Sequence, residues 1–134
     1  MTAATPDGGI HAGNAPKAVG RYPHARRVGN LLFLSGIGPR DPASDAIPAD
    51  IRAQARAVFA NVRAVLEASG ARWEDLVDVT VFLTDMARDF RAYNEVWAEY
   101  FPDPDRAPCR TTLGITALPT PIAIELKCIA ALAG

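Results

Sequence analysis

Between Asp50 and Gly70 the apolar residues recur at steps of three and four. Ile51, Ala55, Val58, Phe59, Val62, Val65 and Leu66 share one face, and Arg52, Arg56 and Arg63 take the other. That period predicts an amphipathic helix. Asp50 stands at its N-cap position and Gly70 supplies the stop. A second stripe, Phe90, Tyr93, Val96, Trp97 and Tyr100, predicts a helix over roughly Ala87 to Tyr100, ended by Pro102. Elsewhere the period shortens. Leu31 to Leu34 is an unbroken apolar run between Gly29-Asn30 and Ser35-Gly36, which reads as a buried strand. With His24 to Val28 ahead of Gly29-Asn30, it predicts a β-hairpin. Leu76 to Thr84 alternates, with Val77, Val79, Val81 and Leu83 set against Asp78, Thr80 and Phe82. Cys109 to Thr116 and Ile122 to Leu132 predict two further strands around a bend at Leu118-Pro119-Thr120-Pro121. Pro39 to Pro48 reads as a loop.

The resulting order, β-β-α-β-α-β-β, predicts an α+β domain with two helices covering one face of a mixed sheet. The other sheet face still needs a cover, and in so small a domain copies of the same chain are the expected source. A chain of 134 residues makes one domain. Residues 1–14, rich in Gly and Ala, read as a flexible leader, and residues 15–134 as the domain.

Charge and cysteine content narrow the function classes. With 14 basic and 15 acidic side chains the formal charge is −1, which lends nucleic-acid binding no support. No apolar stretch approaches the ~20 residues that cross a bilayer, and the N-terminus lacks the pattern of a secretory signal. Cys109 and Cys128 are too few for a disulfide framework, and no C-x-x-C or H-x-x-x-H spacing marks a metal site. A reducing, cytoplasmic setting without metal or cofactor is the expectation.

Several residues carry candidate chemistry. Arg110 follows Pro108-Cys109 at the mouth of a strand. Alone it is a strand-end arginine; given a ligand, its guanidinium forks onto a carboxylate. Glu125 lies in Ile122-Ala123-Ile124-Glu125-Leu126, where alternation turns it outward beside Lys127. Burial of such a carboxylate raises its pKa and suits it to proton traffic. Tyr22 and Asn94 are polar-tipped residues at element boundaries, and Ser35-Gly36 lets backbone approach a ligand closely. His24 and Arg40 flank the first strand; an acid with a second carboxylate would gain from such a group across a pocket, while the plain readings are an ordinary histidine and a surface-loop arginine, which for Arg40 is the preferred one.

The local sequences resemble the Rid (YjgF) family. The resemblance is carried by Ala15-Pro16-Lys17-Ala18-Val19-Gly20-Arg21-Tyr22, by Val28 to Gly36, by Val62 to Ala71, by Tyr93-Asn94-Glu95-Val96-Trp97, and by Ala107 to Thr112 with Leu118-Pro119 through Glu125. It implies a chorismate-mutase-like homotrimer with an inner β-barrel and active sites between subunits. It implies hydrolysis of small carboxylate-bearing imines or enamines to ammonia and an oxo acid, with Arg110 and Glu125 catalytic. Tyr22, His24, Ser35, Gly36, Asn94 and the backbone N–H of Thr112 are implied to bind substrate. Gly20-Arg21-Tyr22-Pro23-His24 looks most like the 2-aminomuconate deaminase branch. Departures are Ile37 and Gly114, where common members carry Gln, and a short 39–50 loop. A non-catalytic acid-binding or holdase trimer of the same fold is the alternative; a ribonuclease would need an acid–base pair that nothing beyond His24 suggests.

Overall fold

A computed structural model describes residues 8–133 of the chain. Its strands are β1 (Gly9–Ile10), β2 (Ala25–Val28), β3 (Leu31–Leu34), β4 (Leu76–Leu83), β5 (Cys109–Gly114) and β6 (Ile124–Ala131). The helices are α1 (Ile51–Ala68) and α2 (Met86–Tyr100), with a 3₁₀ turn at Trp73–Asp75. The strands form one sheet ordered β1-β2-β3-β6-β4-β5. All neighbours are antiparallel except β4 and β5, which run parallel with α2 as the crossover. Both helices lie against one sheet face, the α+β arrangement expected from the pattern.

Local chemistry fixes the ends. Asp50 accepts from the Ala53 N–H at 2.8 Å, capping α1. At its other end Gly70 takes φ +77°. The Gly70 N–H donates to the Glu67 carbonyl at 3.1 Å and the Ala71 N–H to the Leu66 carbonyl at 2.8 Å, so a Schellman turn closes the helix. Helix α2 starts one residue earlier than its apolar stripe suggests, because Asp85 caps it through the Arg88 N–H. Gly29 supplies the positive φ of the β2–β3 hairpin.

Four expectations change. Of the segment read as a flexible leader, residues 1–7 lie outside the described residues, but Gly9–Ile10 pair with Arg26 and Ala25 as an edge strand. The hairpin strand begins at Ala25, since His24 is spent on that N-terminal segment. The last two strands are shorter than the apolar runs, because 115–123 forms the connecting bend. In β4 the register slips between Leu76 and Asp78, so Val77 bulges into solvent and Leu76 takes the buried place.

The core lies between the helices and the sheet, and brings Val58, Phe59, Val62 and Leu66 of α1 onto Val79, Val81, Ile124 and Leu126. Phe59 anchors an aromatic cluster, with ring centroids 4.6 Å from Tyr100, 5.9 Å from Trp73 and 6.2 Å from both Trp97 and Phe101. The opposite sheet face carries Val28, Leu31 and Leu113, 49%, 39% and 43% exposed. That is an apolar surface with no cover from the described residues.

Candidate active site

Glu125 is placed by strand alternation. Ile124 and Leu126 point into the core, so Glu125 projects from the opposite face of β6. Ile37 and Leu126 exchange N–H to carbonyl bonds of 2.8 and 2.9 Å, which fasten the chain beyond β3 onto β6. This lays Ser35-Gly36 directly across Glu125. A Cβ on Gly36 would sit 2.7 Å from Glu125 Oε1, so any larger residue here would push the carboxylate aside. Burial pushes the Glu125 carboxyl above the usual carboxylate range. Were Glu125 to act on a ligand, Gly36→Ala, which displaces its carboxylate with little change in fold, would lower kcat by about tenfold or more, since misplacement of about 1 Å is costly; wild-type kcat in the variant would remove the contact from the site.

The cleft around Glu125 is lined by Tyr22, Ser35, Gly36, Arg40, Pro119 and Ile122 among others. Tyr22 is 41% exposed. Ser35 Oγ donates to the Pro23 carbonyl at 2.7 Å, a turn-forming bond. His24 also borders the cleft, but its Nδ1 accepts from the Ala12 N–H at 3.0 Å and its Nε2 donates to the Pro16 carbonyl at 2.6 Å. Both ring nitrogens serve the main chain, so His24 builds the cleft wall and offers a ligand no free nitrogen, contrary to the expectation from sequence.

Arg110 lies elsewhere. It extends from edge strand β5 towards α2, where its Nη1 donates to Asn94 Oδ1 at 2.9 Å. Its guanidinium carbon stands 4.9 Å from the Trp97 ring centroid and 5.5 Å from that of Tyr93. The aromatic faces hold the cation while leaving much of its fork free. Thr112, two residues on, shares this face, and its Oγ1 and the Tyr93 hydroxyl are buried without hydrogen-bond partners among the described residues. Helix α2 thus does two jobs: Tyr93 and Val96 fill the core, and Asn94, Trp97 and the Tyr93 ring orient the arginine.

Arg110 and Glu125 therefore do not meet within one chain. They sit on opposite sheet faces, with β4 between their strands. Arg110 is level with Val79 and Cys128, three positions along β6 from Glu125. At strand spacings this is roughly 10 Å along and roughly 10 Å across the sheet.

Two site-supporting residues escaped the sequence reading. Asn61 Nδ2 donates to the carbonyls of Gly38 and Arg40 at 2.9 and 2.8 Å. Gln54 donates to the Pro48 carbonyl and accepts from the Ala123 N–H, both at 2.9 Å. Both side chains are buried on α1 and tie the cleft loops to the helix. Their signal was present: two polar residues seven apart beside the apolar face of an otherwise regular helix.

The family described as Endoribonuclease L-PSP matches residues 12–132. A RutC family protein of Pyrococcus horikoshii is 42% identical over 122 residues, covering 90% of this chain and 94% of the relative. The 2-iminobutanoate/2-iminopropanoate deaminase of Escherichia coli K12 is 36% identical over 118 residues, covering 87% and 91%. Among solved structures, TdcF of E. coli with bound serine superposes with a TM-score of 0.87 at 34% identity, covering 94% of this chain and 99% of that one.

Proposed function

This chain belongs to the Rid (YjgF/RidA, endoribonuclease L-PSP) family, and on that premise we propose that it is an imine deaminase whose site is completed between two copies. The separation of Arg110 from Glu125 on opposite faces of one sheet carries this reading. Each half is chemically unfinished among the described residues: a guanidinium fork that pairs with no carboxylate, and a half-buried carboxylate that pairs with no cation. A second copy laid on the open apolar face brings Arg110, Asn94 and Thr112 of one chain to Tyr22, Ser35, Gly36 and Glu125 of the next. A homotrimer closes such head-to-tail contacts.

In the proposed reaction Arg110 forks onto the carboxylate of a 2-imino acid, or of an enamine such as 2-aminomuconate, and holds the carbon–nitrogen bond beside Glu125. Glu125 accepts a proton from a water as its oxygen bonds to the imine carbon. Glu125 passes that proton to nitrogen, and as the carbon–nitrogen bond breaks it takes the proton of the new hydroxyl and hands it to the departing ammonia, leaving a 2-oxo acid; an enamine enters the same course as its imine tautomer. A protonated imine is electrophilic enough that the scheme uses no metal or cofactor. A cytoplasmic setting, where such imines arise, belongs to the same reading; no helix among the described residues is long and apolar enough to cross a membrane.

Relatives named as 2-iminobutanoate/2-iminopropanoate deaminases support the general substrate class. The serine-bound relative favours a second reading, a trimer that binds small acids without turning them over. A ribonuclease reading would lean on His24, whose nitrogens are both engaged.

Ammonia release from freshly generated 2-iminopropanoate and 2-aminomuconate, followed against pH, separates these. A deaminase exceeds the buffer rate, and activity climbs with an acid-limb midpoint above the ordinary carboxylate range, because burial favours protonated Glu125. Turnover at the buffer rate for both substrates would leave the binding module. The same raised value has a stability sign: a folded-state pKa above the unfolded one stabilises at low pH, and that contribution is lost as pH rises through the folded value. Glu125→Gln should therefore gain stability relative to wild type on going from acid to neutral pH.

A further inference from the structure

The cleft around Glu125 holds more positive charge than one carboxylate needs. Lys17 and Arg40 both line it, and Glu125 is the lone carboxylate in that lining. On the reading above, the carboxylate next to the imine belongs to Arg110 of the neighbouring copy, which leaves these two cations without a role. Neither forms an ion pair with Glu125 among the described residues.

Arg40 is mounted with care for a loop residue. Its carbonyl and that of Gly38 both accept from the buried Asn61 amide, at 2.8 and 2.9 Å. The rest of the loop folds on Asp41, whose carboxylate accepts from the N–H groups of Ala43 and Ser44 at 2.7 and 3.1 Å. Asp45 completes it in a left-handed conformation, φ 65°, which costs a non-glycine residue free energy. The Arg40 guanidinium donates to the Asp45 carbonyl at 2.8 Å and pairs with its carboxylate at 3.5 Å. That carboxylate side chain is 83% exposed. An ion pair so open to water is worth little and is readily exchanged for a ligand carboxylate in the cleft. Lys17 has no ion-pair partner among the described residues.

We infer that Arg40, assisted by Lys17, reads a second carboxylate, so that the substrates this chain prefers are imines or enamines of dicarboxylic acids. The inference rests on the deaminase reading and adds its substrate class. Arg40 is a specificity residue held in place by Asn61, and it takes no part in the bond-making steps.

The test compares kcat/KM for imines generated in place from glutamate and from alanine by an amino-acid oxidase, in wild type, Arg40→Met and Arg40→Lys. Wild type should favour the diacid by roughly tenfold or more, the scale of one charge-assisted hydrogen bond. Arg40→Met should collapse that ratio, chiefly through KM, and Arg40→Lys should restore part of it. An equal or reversed preference in wild type, or a ratio that Arg40→Met leaves in place, overturns the inference while the deaminase stands. Turnover of neither acid removes the deaminase reading, and calorimetric titration with 2-oxoglutarate and pyruvate then decides: tighter, Arg40-dependent binding of the diacid supports the second anion site, and equal binding ends it.

Discussion

Arg110→Ala protein mixed with Glu125→Gln protein is expected to regain activity that neither has alone. Each variant by itself should fall about 100-fold or more, the usual loss on removing a group that acts on developing charge. Arg110 and Glu125 project from opposite faces of one sheet with a strand between them. Two defective chains can thus lend each other an intact half. In a closed ring assembled at random from equal amounts, about one quarter of the sites pair an intact arginine with an intact glutamate. Activity should recover towards that fraction after the two are unfolded and refolded together, with refolded single variants as controls. Recovery no greater than the sum of the two would place the whole site in one chain and refute the composite arrangement.

The largest stability effect should come from Phe59→Ala. The ring is 1% exposed and meets Trp73, Trp97, Tyr100 and Phe101. Its removal deletes the hub that joins α1 to α2 and to the turn before β4, at a cost of about 3–5 kcal/mol. Trp97 both touches Phe59 and faces Arg110, so the cavity should also loosen the arginine and weaken substrate binding in the folded fraction. Chemical denaturation and KM measured below the transition check both parts. A cost under about 1 kcal/mol would mean that the surrounding rings collapse into the gap.

Much of the fold is legible in period alone. The three- and four-residue steps of α1 and α2 and the capping residues Asp50 and Gly70 name the helices and, within a residue or two, their ends. The β4 alternation was legible too, but the bulge at Val77 was not, since an extra residue in one strand shows only against its partner. Gly9–Ile10 carries no strand signal; it becomes one because β2 offers an unpaired edge and His24 ties down residues 12 and 16. Gln54 and Asn61 look like blemishes in an apolar stripe until the loops they hold are seen.

What the sequence determined by itself, then, is the two helices with their core faces, the main strands, the family and the residue types of the candidate chemistry. Those follow from interactions local in the chain or from patterns that repeat along it. Tertiary structure decided how the candidates divide: Arg110 with Asn94 on the helix side of β5, Glu125 with Ser35 and Gly36 on the other side of β6, His24 consumed as scaffold, and Arg40 carried into the Glu125 cleft. Alternation puts neighbours on opposite faces, but which face a residue shares with another strand depends on strand order, register and the side the helices cover. Those are set by packing between segments far apart in the chain, and no local pattern encodes them.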